Sequence, residues 1–188
     1  KGSSVVGLPT GLARLDRLLG GLQTGVHLLA AEPGVGKTTL MLQFAQHVAE
    51  QGYPALFVSF EESLSRLALK SLCQVAALET KGFADGHAEP GHLEKAAKTF
   101  GSKLANLHFL EGNKQVNVGQ IKAKAQQLIA KSKTKQCLIV IDYIQKMAAS
   151  SMEFTDYRHI VANLVSDLRE TAMRLDCPLV AISSQNRG

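Results

Sequence analysis

Short, wholly apolar runs alternate along the chain with longer segments whose apolar residues recur every three or four positions. Five runs read as buried strands: residues 26–30 (VHLLA), 55–60 (ALFVSF), 107–110 (LHFL), 137–141 (CLIVI) and 179–183 (LVAIS). Each is too short for a buried helix and lacks the alternation of a half-exposed strand. Helical patterns lie between them. Residues 38–50 place Leu42, Ala45 and Val48 on one face, and a helix through about residue 78 can be capped by Ser63. Residues 93–100 form a short helix. Residues 118–131 turn Ile121, Ala125 and Leu128 inward and their lysines outward, and residues 155–175 carry a stripe of Ile160, Leu164, Leu168, Ala172 and Leu175. Residues 81–91 hold Gly, Asp, Pro and His without periodicity and read as an exposed loop. Five strands separated by helices predict an α/β fold, a mostly parallel sheet with helices on both faces. In such a sheet the ligand sits outside the carboxyl ends of the strands.

Composition narrows the classes without changing this picture. A chain of 188 residues, 45% hydrophobic and 20% charged, can bury a core without disulfides or metal. No apolar run approaches the roughly 18–20 residues that span a membrane, and no secretory signal opens the chain. Cys73, Cys137 and Cys177 have no CxxC spacing, so they read as buried thiols in a reducing compartment, the cytosol. The six histidines have no metal-ligand spacing, and His47 and His159 fall inside helical patterns as structural or surface residues. The net charge of +5 is concentrated: Lys114, Lys122, Lys124, Lys131, Lys133 and Lys135 follow one another with no acid between residues 112 and 135. This stretch reads first as a solvated helix face. Its alternative is a surface for an anionic polymer, with Lys122 and Lys124 touching DNA phosphates or a neighbouring subunit.

The chemistry gathers at strand ends. Ala31-Glu32-Pro33-Gly34-Val35-Gly36-Lys37-Thr38 follows a strand and opens a helix, the context of a phosphate-binding loop. Backbone N–H groups and a helix N-terminus would converge there on phosphate oxygens. Lys37 would reach the β and γ phosphates, Thr38 would ligate Mg²⁺, and Thr39 continues the binding segment. The loop starts with Ala31 where the general pattern has Gly. Asp142 ends the CLIVI strand and suits a Mg²⁺ partner. Glu61 and Glu62 end the ALFVSF strand. Glu61 is the candidate to orient the attacking water, whereas Glu62 is better placed to begin the next helix. Ser183-Ser184-Gln185-Asn186-Arg187 closes the chain's last strand with polar groups that can sense a γ phosphate.

Together these segments resemble the ATPase domain of the DnaB-type replicative helicases, within the RecA-like superfamily. The resemblance covers nearly the whole chain. It rests on Gly7-Leu8-Pro9-Thr10-Gly11-Leu12 with Leu15-Asp16 and Leu19-Gly20-Gly21-Leu22, on Gly36-Lys37-Thr38-Thr39, and on Phe60-Glu61-Glu62. The most specific match is Ile141-Asp142-Tyr143-Ile144-Gln145. The closing Ser-Gln-Asn-Arg resembles the family's Ser-Gln-x-Asn-Arg with the spacing shifted by one, so Gln185 or Ser184 would contact the γ phosphate. The resemblance implies a RecA-like P-loop NTPase fold, with the 179–183 strand between the loop strand and the Asp142 strand. It divides the chain into a linker remnant at 1–6 and an ATPase domain at 7–188, truncated at its carboxyl end. It implies ATP as substrate, Mg²⁺ as cofactor, Glu61 as catalytic glutamate, and Glu32, Pro33, Gly34, Val35, Gly36, Lys37, Thr38 and Thr39 as the nucleotide-binding segment.

The function implied is an ATP-driven motor that translocates on single-stranded DNA and unwinds duplex as a ring, a hexamer. Its setting is cytoplasmic and nucleoid-associated, with no membrane, and primase or a loader would bind through other regions. In such helicases an arginine finger and the main DNA-gripping loop lie beyond the segment that ends at Gly188, so these residues alone would hydrolyse ATP slowly. Two alternatives remain: a RecA-like recombination or clock-type ATPase, and a nucleotide-dependent loader or adaptor without unwinding activity. The Asp-Tyr-Ile-Gln segment opposes the first and Glu61 opposes the second.

Overall fold

The computed structural model describes residues 6–76, 90–150 and 157–184. Five strands, β1 (Gly25–Ala31), β2 (Ala55–Ser59), β3 (Leu107–Glu111), β4 (Leu138–Asp142) and β5 (Pro178–Ser184), form one all-parallel sheet in the order β1-β5-β4-β2-β3. Every strand expected from the apolar runs is present, within one residue at either end. β5 lies between β1 and β4, as the RecA-like resemblance implies. The helices are α1 (Ala13–Leu19), α2 (Lys37–Glu50), α3 (Leu64–Ala76), α4 (Pro90–Lys103), α5 (Val118–Lys131), α6 (Ile144–Ser150) and α7 (Tyr157–Leu175).

Three helical features depart from expectation. α4 begins at Pro90, inside the stretch read as loop, because proline with its fixed φ suits the first turn of a helix. The remainder of that stretch, residues 81–89, lies outside the described residues, as do 77–78 and 155–156 at two expected helix ends. α1 and α6 are additional, each of 7 residues. α5 matches its expected bounds, opened by a reciprocal capping box in which Asn117 and Gln120 exchange side-chain-to-backbone bonds. Lys122 and Lys124 are half-buried rather than fully outward. They adjoin the buried Ile121 and Ala125 in sequence, and long cationic chains commonly bury their stems while the charged head stays in water.

Strand alternation divides the core into two layers. Leu56, Val58, Ile139, Ile141, Leu179 and Ala181 pack with α5, α6 and α7 on one face of the sheet. Ala55, Phe57, Leu138, Val140, Val180 and Ile182 pack with residues of α2 and α3 on the other. All of these strand residues are buried, as a parallel sheet covered on both faces requires. Among the described residues no helix is long and apolar enough to cross a membrane. Cys73, Cys137 and Cys177 are buried thiols, and burial pushes the Cys137 thiol up to about 12, so it is unreactive.

The segment ahead of β1 braces α2. Leu8 and Leu22 pair as an isolated antiparallel bridge and reach into the α2 layer of the core. Asp16 closes the brace, its Oδ1 accepting from the Thr10 backbone N–H and the Thr10 hydroxyl, both at 2.8 Å. Gly7 is held close to the Leu22 carbonyl, where a Cβ would collide with backbone.

Candidate functional site

A cleft of about 580 Å³ opens at the carboxyl ends of β1, β5, β4 and β2. Its floor is the turn from β1 into α2. Gly34 and Gly36 hold φ of 80° and 94°, the left-handed region that glycine enters without steric cost. Gly36 is the N-cap of α2 and offers no side-chain acceptor, so the first-turn N–H groups are not tied up by a cap. Lys37 Nζ arches back to donate to the carbonyls of Ala31 and Glu32, at 2.8 and 2.7 Å. Pro33, Gly34, Gly36, Lys37, Thr38 and Thr39 line the cleft. Glu32 and Val35 do not, and the Val35 side chain is exposed.

Strand parity brings Asp142 to this turn. Ile139 and Ile141 face the α5–α7 layer, while Leu138 and Val140 face the α2 layer. The next residue by alternation, Asp142, therefore falls on the α2 side. There its Oδ2 accepts a 2.7 Å hydrogen bond from Thr38 Oγ1, across 104 residues of sequence. The residue is 1% exposed. Burial holds its carboxyl above the usual aspartate range, the Thr38 bond opposes the shift, and Glu61 and Glu62 add to it against a counter-effect from Lys70.

The two glutamates lie beyond β2, which pairs directly with β4. The Ser59 hydroxyl accepts from both of their backbone N–H groups, at 3.3 and 2.9 Å, a local turn of the kind serine favours after a strand. Both line the cleft. Glu61 is exposed, and its carboxylate has no ion-pair partner among the described residues. Glu62 does not begin the next helix, since α3 starts at Leu64. Its half-buried carboxylate instead pairs with Lys70 and lies 3.9 Å from Arg66 Nε, both on α3.

On the far side of the cleft, β5 ends at Ser184, which lines it. Gln185, Asn186 and Arg187 lie outside the described residues. The β4–β5 ladder stops at Ile141 and Ala181. Beyond that point the Gln145 amide ties the start of α6 to the end of β5: Nε2 donates to Ser183 Oγ at 2.7 Å and to the Ser184 carbonyl at 3.0 Å, and Oε1 accepts from the Ser184 N–H at 3.3 Å. Gln145, Tyr143 and Lys70 line the cleft without having been singled out as site residues by sequence reasoning. The signal for Gln145 was its place three residues after Asp142. The signal for Lys70 was its spacing, eight residues after Glu62 at the head of a helix.

The remaining candidates stand elsewhere. His47 packs its ring against Gly11, and His159 is exposed. Among the described residues no group of three or more His, Cys, Asp or Glu side chains gathers as a metal site. The lysine-rich α5 contributes no residue to the cleft lining; burial, with Lys124 and Lys131 adding to it, holds the His108 imidazole below its ordinary value.

The model of the DnaB-like helicase C-terminal domain family matches residues 7–188. The replicative DNA helicase DnaB of Geobacillus stearothermophilus is 29% identical over 97% of this chain and 40% of its own length. That of Leifsonia xyli is 30% identical over 100% of this chain and 41% of its own. The chain thus spans about two-fifths of the curated relatives it matches. A DnaB-like replicative helicase, solved with attention to its interactions with primase, superimposes with a TM-score of 0.86 at 21% identity, covering 98% of this chain and 45% of that one. The fold of that neighbour is the fold described above. The family match runs from the Gly7 brace through the loop, the Asp142 strand and β5, and on that extent the chain belongs to the DnaB-like helicase C-terminal domain family.

Proposed function

We propose that this domain is the ATP-hydrolysing motor of a ring-shaped replicative DNA helicase, coupling nucleotide turnover to movement along single-stranded DNA. The observation that carries the reading is the 2.7 Å bond between Thr38 and Asp142. It joins the first turn of a phosphate-loop helix to an acidic strand tip, with Glu61 in the same cleft.

The N–H groups of residues 34–38 and the Lys37 ammonium hold the β and γ phosphates. The Thr38 hydroxyl and the Asp142 carboxylate are hard oxygen donors, and that carboxylate accepts one hydrogen bond among the described residues. That donor set suits Mg²⁺, with Thr38 as direct ligand and Asp142 acting through water. When bound, Mg²⁺ would neutralise charge on the phosphate oxygens. Glu61, exposed in the cleft and unpaired among the described residues, orients the attacking water and accepts its proton. Gln185, or Ser184 in its place, contacts the γ phosphate, and Gln145 holds Ser183 and Ser184 at the end of β5.

The rest of the reading concerns the assembled protein. The ring is a hexamer, and an arginine from the neighbouring subunit completes each site; such fingers supply on the order of 10³–10⁵ in rate. Single-stranded DNA is the track, primase or a loader binds through other regions, and the setting is the bacterial cytoplasm at the nucleoid. Two assays on the assembled protein test this together: ATP turnover with single-stranded DNA, and strand displacement on a forked duplex. The Glu61→Gln variant should keep nucleotide affinity and lose about 10²-fold or more in turnover. Turnover unchanged by Glu61→Gln, or no affinity for ATP in the unaltered protein, would sink the reading.

A further inference from the structure

Two adjacent glutamates at one strand tip raise a question of roles. Glu61 and Glu62 line the same cleft, hang from the same Ser59 hydroxyl, and both act electrostatically on Asp142. One cation separates them. Lys70 Nζ pairs with Glu62 Oε1, whereas Glu61 has no such partner among the described residues. The other Glu62 oxygen is buried without a hydrogen bond, with Arg66 Nε at 3.9 Å.

Lys70 is not a solvated chain that drifts onto an acid. Its side chain is 22% exposed, and it follows buried Leu67 and precedes buried Ser71 on α3. That helix is stitched to the phosphate-loop helix by amides. Gln74 Nε2 donates to the Thr39 carbonyl at 3.1 Å, and Gln46 Nε2 donates to Gln74 Oε1 at 2.8 Å. The position of the Lys70 ammonium is therefore registered against the same helical turn that carries Lys37 and Thr38.

We propose that Lys70 is a positioning residue that sorts the two glutamates, neutralising Glu62 and holding it against α3 so that Glu61 alone meets the attacking water. The inference rests on the hydrolytic reading above. Without Lys70, the carboxylates of Glu61, Glu62 and Asp142 would together face an anionic phosphate tail. Like charges so placed disfavour one another's ionised form, and Glu62 would be free to compete for the water.

The experiment measures kcat, KM for ATP and the melting temperature of the assembled protein with single-stranded DNA. Lys70→Met should lower kcat by about tenfold or more while KM moves by less than about threefold. Lys70→Arg, which keeps the cation, should recover most of that loss. The Lys70→Met/Glu62→Gln double variant should also recover it, because the unpaired acid is gone with the cation. Should Lys70→Met fail to fold, the comparison of single glutamate variants carries the test: Glu62→Gln should lose at least about tenfold less kcat than Glu61→Gln. Wild-type kcat in Lys70→Met, a double variant no faster than Lys70→Met, or equal losses in the two glutamate variants would overturn the proposal. If both the unaltered protein and Lys70→Met lack ATPase activity, the functional reading falls and takes the sorting role with it.

Discussion

Asp16 in the amino-terminal brace and Asp142 at the tip of β4 are both buried carboxylates, yet their surroundings are built to opposite ends. The Asp16 carboxylate accepts two 2.8 Å bonds from Thr10 on one oxygen. The Asp142 carboxylate accepts one bond among the described residues, from Thr38, and shares its cleft with Glu61 and Glu62. The difference teaches how to tell a carboxylate that folds the chain from one held ready for a ligand. The first has its donors supplied by its own segment. The second is under-supplied and crowded by like charge, a burden that the cation proposed above would relieve.

That contrast gives an ordered set of tests. Burial holds the Asp142 carboxyl above the ordinary value of 3.8. The folded state then binds the proton more tightly than the unfolded chain, so stability falls as pH rises from that ordinary value through the raised one. Asp142→Asn keeps an acceptor for Thr38 and removes the charge. It should weaken Mg²⁺-dependent nucleotide binding by about 10- to 100-fold. Without nucleotide it should raise the melting temperature by about 2–4 °C at neutral pH, a gain that shrinks towards about pH 4. A lower melting temperature at neutral pH would put Asp142 in the same class as Asp16.

Asp16→Ala should act the other way. It strands the buried Thr10 N–H and hydroxyl, at a cost of about 2–3 kcal/mol or a loss of roughly 4–12 °C in melting temperature. Nucleotide affinity of the folded fraction should be unchanged by isothermal titration; a weakened affinity would break the distinction. Gln145→Ala removes the tie between the start of α6 and the end of β5. Thermal melts should show a loss of about 1–2 kcal/mol, and steady-state kinetics should show kcat falling more than KM. The smallest effect is expected at Ser71, whose buried hydroxyl has no partner among the described residues. Ser71→Ala should lie within about 0.5 kcal/mol of the unaltered protein, on the stabilising side, in denaturant melts.

The strands were legible because each is apolar on both faces, a pattern that a two-sided parallel sheet imposes and few other environments tolerate. The loop was legible because its glycines, lysine and threonine are contiguous. The Thr38–Asp142 contact was legible as two halves, one at a helix start and one at a strand end, and the order of the sheet joined them. α1 and α6 escaped notice because 7-residue helices with two or three polar positions carry too little periodicity to register. Pro90 and Gly91 look like loop residues until the helix they open is seen. The Glu62–Lys70 pair was hidden for a different reason: a carboxylate just ahead of a helix serves its N-terminus by default, and only the path of α3 decides that the side chain reaches two turns along it. Gln145 was visible as a letter in a motif, but its work lies in tying the start of α6 to the end of β5.

The place of β5 in the sheet has a mechanical corollary. The phosphate turn rides on β1 and the acidic tip on β4, and β5 is wedged between them. Ser184, the last residue of β5, therefore sits in the seam that separates the two halves of the cleft. A displacement of that strand end would be delivered to the Gln145 tether and to both halves at once, so a shift of β5 and a change in what fills the cleft would be felt by the same few atoms.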